Sequence, residues 1–259
     1  MHSPVILQPF TNRSLLNSFD TQAFLDREPY PWHNLEGFLT PDGFEALNRD
    51  FPALELFEQH SGIERGYGQR PHNRYYLAYE SSIYHDSTSK GIVKHEELPL
   101  VWQQFMTDLE TNSDYHKLIR SLFCVAKYTV RYAWHIGFAG CEVSPHVDSP
   151  DKIGTHILYF NTHETWKPEW GGSTLILGDK RTDKLNPDVS DFGAVESANI
   201  LDNRSFLFKN TPDGWHGVEP LTCPEGAYRR LFNIIFEFPK VQPLPSARLR
   251  SLMKKVVHR

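Results

Sequence analysis

The stretch "SPHVDSPDKIGTHILYFN" (Ser144–Asn161) decides how this chain is to be read. It opens with a histidine and an aspartate two positions apart, His146 and Asp148, and then runs into "THILYFN", a short apolar segment with strand character. In extended backbone, residues i and i+2 share a face. An imidazole and a carboxylate at that spacing therefore project side by side, with Val147 on the opposite face. Such a pair suits a surface ion pair, a catalytic dyad or two teeth of a metal chelate.

Working outward, "THILYFN" is one of several similar runs. "CVAKYTVRYAW", "GSTLIL", "RSFLFKN" and "RRLFNIIFEF" are also short and β-rich, separated by Gly, Pro, Asn and Asp clusters. This spacing predicts an antiparallel sandwich or barrel from Cys124 onward. The preceding residues read as mixed α/β. Thr40-Pro41 has the form of a helix N-cap followed by proline, and "LPLVWQQFMTDL" and "DYHKLIRSLF" carry apolar residues at helical spacing. Between them lies a polar, aromatic-rich region, Phe57 to Glu96, with strand-like "RYYLAY" inside it and "HSGIERGYGQRPHNRYYLAYE" as a candidate lid or pocket wall. From Ser246, Leu249, Leu252, Met253, Val256 and Val257 line one face of a predicted helix; its basic residues form a solvated face or, alternatively, a homodimer contact. With no repeat and no low-complexity linker, the expectation is one domain over 1–259: a helical and irregular part (1–123), a β core (124–240) and a C-terminal helix (241–259).

Composition narrows the function classes. The 259 residues are 39% hydrophobic and 23% charged, ordinary for a globular protein with a real core. No apolar run reaches the roughly 20 residues a membrane helix needs, and "MHSPVILQPFTNRS" makes a poor signal peptide. Three scattered cysteines with no CxxC spacing suit a reducing, cytoplasmic setting and argue against a disulfide scaffold or thiolate zinc site. A formal net charge of −5 offers no basic footprint for nucleic acid.

A third candidate ligand, His216, lies in "TPDGWHGVEP", where Gly214 and Gly217 give the backbone room to bring its ring to the first pair. Two histidines and one carboxylate, with the remaining positions open, form the ligand set of non-haem Fe(II) oxygenases. Downstream, "EGAYRRLFNIIFEF" places an arginine pair before an apolar strand. An arginine there can grip a carboxylate with a bidentate fork. Adjacent strand residues face opposite ways, so only one of Arg229 and Arg230 points inward.

Taken together, "HVDSPDKIGTHILYFNTHETWKPEWGGSTLIL", "DGWHGVEP" and "YRRLFNIIF" resemble the prolyl-hydroxylase-type branch of the Fe(II)/2-oxoglutarate-dependent dioxygenases over roughly Thr129 to Phe238. The resemblance implies a mainly β double-stranded β-helix (jelly roll) with helical N-terminal decoration. It implies Fe(II) on His146, Asp148 and His216, and 2-oxoglutarate as cosubstrate on Arg229, with Tyr159, Thr155 and Asn233 lining its pocket. Tyr159 reads equally as a core tyrosine. Upstream of the HxD pair, "RYAWHIGFAGCEVSPH" departs from the family's usual tyrosine-glycine pattern; there His135 is either a pocket hydrogen-bonding group or a satisfied strand histidine. The implied activity is hydroxylation of an unactivated C–H bond with O2. Asp148 favours this over halogenation, for which related enzymes carry a small residue at that position. The preferred substrate is a small molecule; the alternatives are a peptidyl proline or a non-catalytic jelly-roll binding or sensing module. Neither nucleic acid nor membrane is an expected partner.

Overall fold

The structure is a computed structural model that describes residues 9–63, 70–83 and 90–240. In chain order it contains helices α1 (Arg13–Ser18) and α2 (Thr21–Leu25), strand β1 (Trp32–Glu36), helix α3 (Pro41–Arg49), strands β2 (Glu58–Ile63), β3 (His72–Tyr79) and β4 (Ile92–Val93), and helices α4 (Leu100–Thr111) and α5 (Ser113–Phe123). The β-rich half then supplies β5 (Thr129–Gly137), β6 (Val143–His146), β7 (Lys152–Tyr159), β8 (Leu175–Lys180), β9 (Phe192–Ser197), β10 (Arg204–Lys209), β11 (His216–Val218) and β12 (Arg229–Glu237). They form a large sheet, β1-β10-β7-β12-β5-β3-β2 with β4 beside β3, and a small one, β6-β11-β8-β9. Every pairing is antiparallel except β3 with β4. This is the mainly β architecture predicted by the strand runs.

The three predicted helices are present as α3, α4 and α5. Thr40 caps α3, its hydroxyl accepting from the Gly43 N–H at 3.2 Å. The first half nevertheless contributes more than helical decoration, since β1 extends one edge of the large sheet and β2, β3 and β4 build the other. Of these, only β3 is visible in the sequence. β1 buries Trp32 and Leu35, three apart, and β2 buries only His60, so neither shows the two-residue alternation that marks a strand.

Alternation along β12, the middle strand of the large sheet, sorts what is dry from what is reactive. Phe232 and Phe236 face the helices: Trp102 of α4 packs 5.3 Å from the Phe232 ring, and Phe123 of α5 packs 5.3 Å from the Phe236 ring. Arg229, Leu231, Asn233 and Ile235 face a cavity of about 330 Å³ walled by both sheets. β7 repeats the rule, with Thr155 and Ile157 on the cavity side and His156 toward the helices. Buried His156 bonds the hydroxyls of Tyr115 (2.8 Å) and Ser205 (2.9 Å). Burial pushes its pKa down to about 3, so the ring stays neutral and ties α5, β7 and β10 together.

The predicted C-terminal helix, with its proposed dimer contact, lies outside the described residues, as do 64–69 of the candidate lid and 84–89 of the polar, aromatic-rich region. No described helix is long and apolar enough to cross a membrane. All three cysteines are free thiols.

Gly154, on the helix-facing side of β7, shows how tightly the sheet meets α5. A Cβ there would lie 2.5 Å from the Phe208 carbonyl oxygen and 2.6 Å from Phe123 Cζ. Gly154→Ala is expected to lower the unfolding free energy by about 1–3 kcal/mol through overpacking. Urea denaturation with an unchanged m-value would show this, whereas an unshifted midpoint would contradict the packing.

Candidate active site

β6 and β11 pair so that His146 and His216 are direct cross-strand partners. Their ring centroids are 4.3 Å apart. Gly217 permits this approach, because a Cβ there would sit 2.8 Å from the Val143 carbonyl oxygen. Each imidazole is oriented through Nδ1, which donates to the carbonyl two residues earlier: Ser144 for His146 and Gly214 for His216, both at 2.9 Å. A carbonyl has no proton to give, so these contacts place the proton on Nδ1 and leave Nε2 as the basic atom.

Asp148 joins this pair by a different route from the one its spacing suggests. β6 ends at His146, and Asp148 lies in the turn before β7. The turn is held by Asn210, whose Nδ2 lies 3.4, 2.9 and 3.0 Å from the carbonyl oxygens of Asp148, Ser149 and Lys152. The Asp148 side chain is only 7% exposed. Burial opposes its ionisation, but the Lys152 ammonium at 2.6 Å and the neighbouring imidazoles outweigh that and hold the carboxyl well below its usual range. One donor atom from each of His146, Asp148 and His216 lies within 4.8 Å of the others, and no second such cluster occurs among the described residues. Two oriented imidazoles and a carboxylate on a cavity wall match the requirements of an Fe(II) site with open positions.

Arg229 is the other charged group of the cavity that the sequence singled out. It is 7% exposed. Its Nε donates to the Gly172 carbonyl at 2.6 Å, and its Cζ lies 5.5 Å from the centre of the Tyr159 ring. No carboxylate among the described residues pairs with it. A buried guanidinium in that position calls for an anionic ligand. Arg230 turns to the other face, where it bonds Asn48 Oδ1 and the Phe160 carbonyl and packs over Phe51. Tyr159 is fully buried, its hydroxyl 2.6 Å from Thr174 Oγ1. Thr155 lines the cavity. Asn233 also lines it: Nδ2 is 3.4 Å from His135 Nε2, and Oδ1 has no hydrogen-bond partner. His135 stays neutral, its pKa driven well down by burial and by the charges of Arg74, Arg229, His72 and Arg131.

Several groups here carry no sequence signal. Lys152 is four residues from Asp148, a charge-pair spacing associated with helices rather than turns. His72, Arg74 and Tyr76 of β3 enter the cavity from outside the β-rich half. Thr174 and Asn210 are ordinary loop residues by type. Gly172, in "WGGS", has φ +91°, and a Cβ there would meet Arg229 Cδ at 2.9 Å.

Residues 124–237 match the sequence profile of the 2OG-Fe(II) oxygenase superfamily. No curated protein sequence matches the chain. Among solved structures, a Pseudomonas putida prolyl-4-hydroxylase is similar at TM-score 0.55 and 14% identity, covering 85% of this chain and 100% of that one. A Trichoplax adhaerens prolyl hydroxylase, solved with a hypoxia-inducible-factor peptide fragment, gives TM-score 0.50 and 15% identity over 87% and 90%. A Burkholderia pseudomallei oxidoreductase of the 2OG-Fe(II) oxygenase family gives 0.54 and 12% over 85% and 92%. At these identities the structural likeness establishes the shared jelly-roll fold.

Asp148→Ala is expected to weaken Fe(II) binding on the order of 100-fold or more, since it removes a ligand rather than a supporting contact. Anaerobic equilibrium binding measures this, with circular dichroism confirming the fold. Undiminished affinity in a folded variant would place the metal elsewhere.

Proposed function

We propose, from the match of residues 124–237 to the 2OG-Fe(II) oxygenase superfamily profile, that the chain hydroxylates a small molecule, with His146, Asp148 and His216 holding Fe(II) and Arg229 holding 2-oxoglutarate. The observation that carries this reading is the convergence of the three donor atoms within 4.8 Å on the same cavity as buried Arg229. When bound, iron and cosubstrate supply the chemistry: O2 oxidatively decarboxylates 2-oxoglutarate to succinate and CO2, and one oxygen atom enters a substrate C–H bond.

The chain's own residues position and enclose. The Nδ1 contacts of His146 and His216 keep each Nε2 basic and aimed at the cavity. Lys152 and the Asn210-held turn keep the Asp148 carboxylate ionised and in place. Arg229 would take the distal carboxylate of 2-oxoglutarate, oriented by the Gly172 carbonyl and the Tyr159 ring. Thr155 and Asn233 line the same chamber. The apolar Leu231, Ile235 and Phe208 exclude water between these polar groups. A small substrate is favoured by size. At about 330 Å³ the cavity is at the lower end of the roughly 300–1,000 Å³ typical of ligand sites, and it has to hold two reactants.

Arg229→Ala should weaken 2-oxoglutarate binding about 100-fold, the loss of charge-assisted hydrogen bonds worth about 1.5–3 kcal/mol each, while Arg230→Ala leaves it within a few-fold. The visible charge-transfer band of the anaerobic Fe(II)–2-oxoglutarate protein reports this, and the reverse order would move the cosubstrate to Arg230. Pooled metabolites and pooled peptides, screened for stimulated succinate release, test the substrate class. Metabolites are expected to stimulate; stimulation by peptides alone would replace the small-molecule reading with a peptidyl one.

A further inference from the structure

Lys152 reaches the metal triad against the alternation of its own strand. β7 pairs Gly154 with Phe236 but Lys152 with Glu237, so Ile153 is an extra residue in the ladder. Without it, Lys152 would share the helix-facing side with Gly154 and His156. The bulge turns Lys152 to the cavity side, a re-aiming of one side chain that bulges commonly provide. Ile153 itself stays in the core, and Lys152 lines the cavity. The Lys152 backbone is held on both sides: its N–H donates to the Ser149 carbonyl and its carbonyl accepts from Asn210 Nδ2, each at 3.0 Å.

The neighbouring carboxylates sort themselves around this ammonium. Glu237, across the ladder, accepts from Arg131 Nε and Nη2 at 3.1 and 2.8 Å. Asp151, next in the chain, accepts from the Ser149 hydroxyl. Asp148 is the one that meets Lys152, with Nζ donating to Oδ1 at 2.6 Å. His146 Nε2 lies 3.9 Å from the same oxygen, beyond hydrogen-bonding distance. One oxygen of the metal-ligating carboxylate is thus engaged by a cation that a backbone irregularity has placed there.

A carboxylate can give a metal one oxygen or both. On an octahedral ferrous ion the difference decides reactivity. Two imidazoles, one carboxylate oxygen and the two chelating oxygens of an α-keto acid leave one position over, which O2 needs; a carboxylate bound through both oxygens leaves none. A charge-assisted hydrogen bond to one oxygen biases Asp148 toward the first arrangement. Resting on the oxygenase reading above, we propose that Lys152 is a positioning residue that confines Asp148 to binding the metal through a single oxygen and so keeps one coordination position open beside the cosubstrate.

The test uses the full chain, saturated anaerobically with Fe(II) and 2-oxoglutarate, and nitric oxide as the probe of the remaining position, read by electron paramagnetic resonance. Circular dichroism checks the fold of each variant, and the charge-transfer band checks that its centre is loaded. Lys152→Met is expected to keep the band while its affinity for nitric oxide falls about 10-fold or more. Lys152→Arg, which still donates to one oxygen, should stay within a few-fold of the unmodified chain. A role in stability alone would weaken iron binding and leave nitric oxide binding to the saturated protein unchanged. That result would overturn the proposal, as would an equal loss in both variants. A second measurement needs no variant: in iron-loaded crystals of the unmodified chain, one Asp148 oxygen should be on the metal and the other on Lys152, and both oxygens on the metal would overturn the proposal. Absence of the 2-oxoglutarate band in the unmodified chain is a different failure, which removes the oxygenase reading and this inference with it.

Discussion

Cross-strand pairing of His146 with His216 sets the one distance on which the rest of the site depends. Strands β6 and β11 bring the two rings together, tilted by 51°, across a single ladder step, so the spacing of the donors is set by the backbone pairing. The remaining ligand is then placed by a turn. Asn210 at the end of β10 gathers the carbonyls of Asp148, Ser149 and Lys152, and Lys152 meets the carboxylate. Burying Asp148 costs free energy unless a cation accompanies it. Lys152 supplies one, and a divalent ion between the imidazoles is the natural second.

The large sheet performs a separation of another kind. Its outer face is covered by α4 and α5 through Trp102, Phe105 and Phe123, and its inner face carries Arg229, Asn233, Thr155 and Arg131. Two-residue alternation keeps those populations apart over the length of β12 and β7. The same strand can therefore anchor the hydrophobic core and present a buried guanidinium to a ligand. Arg229 and Arg230, adjacent in sequence, end up in unrelated surroundings for this reason.

What could be read beforehand follows from the same physics. β7 and β12 declare themselves because burial on both faces demands near-continuous apolar and β-branched residues, broken only where a polar side chain enters the cavity. His146, Asp148, His216 and Arg229 were legible because their chemistry constrains residue type strongly and "HVD", "WHG" and "YRR" flank recognisable strands. β9 leaves no such trace: "FGAVES" buries only Phe192 along an exposed edge. Lys152 and Asn210 are legible only in three dimensions, since their roles arise from a turn meeting β10, far away in sequence. Arg131 sits within an identified strand, yet only the assembled sheets show that it lines the cavity and pairs with Glu237.

The account's central claim is that one ferrous ion is held by three side chains drawn from β6, the turn after it and β11. The most direct measurement is iron anomalous scattering from anaerobically grown crystals loaded with Fe(II) and 2-oxoglutarate. The account predicts one anomalous peak per chain in direct coordination with His146 Nε2, His216 Nε2 and an Asp148 carboxylate oxygen, with the distal carboxylate of 2-oxoglutarate on Arg229. An iron peak at any other cluster of side chains, or none at this one in fully loaded crystals, would contradict it.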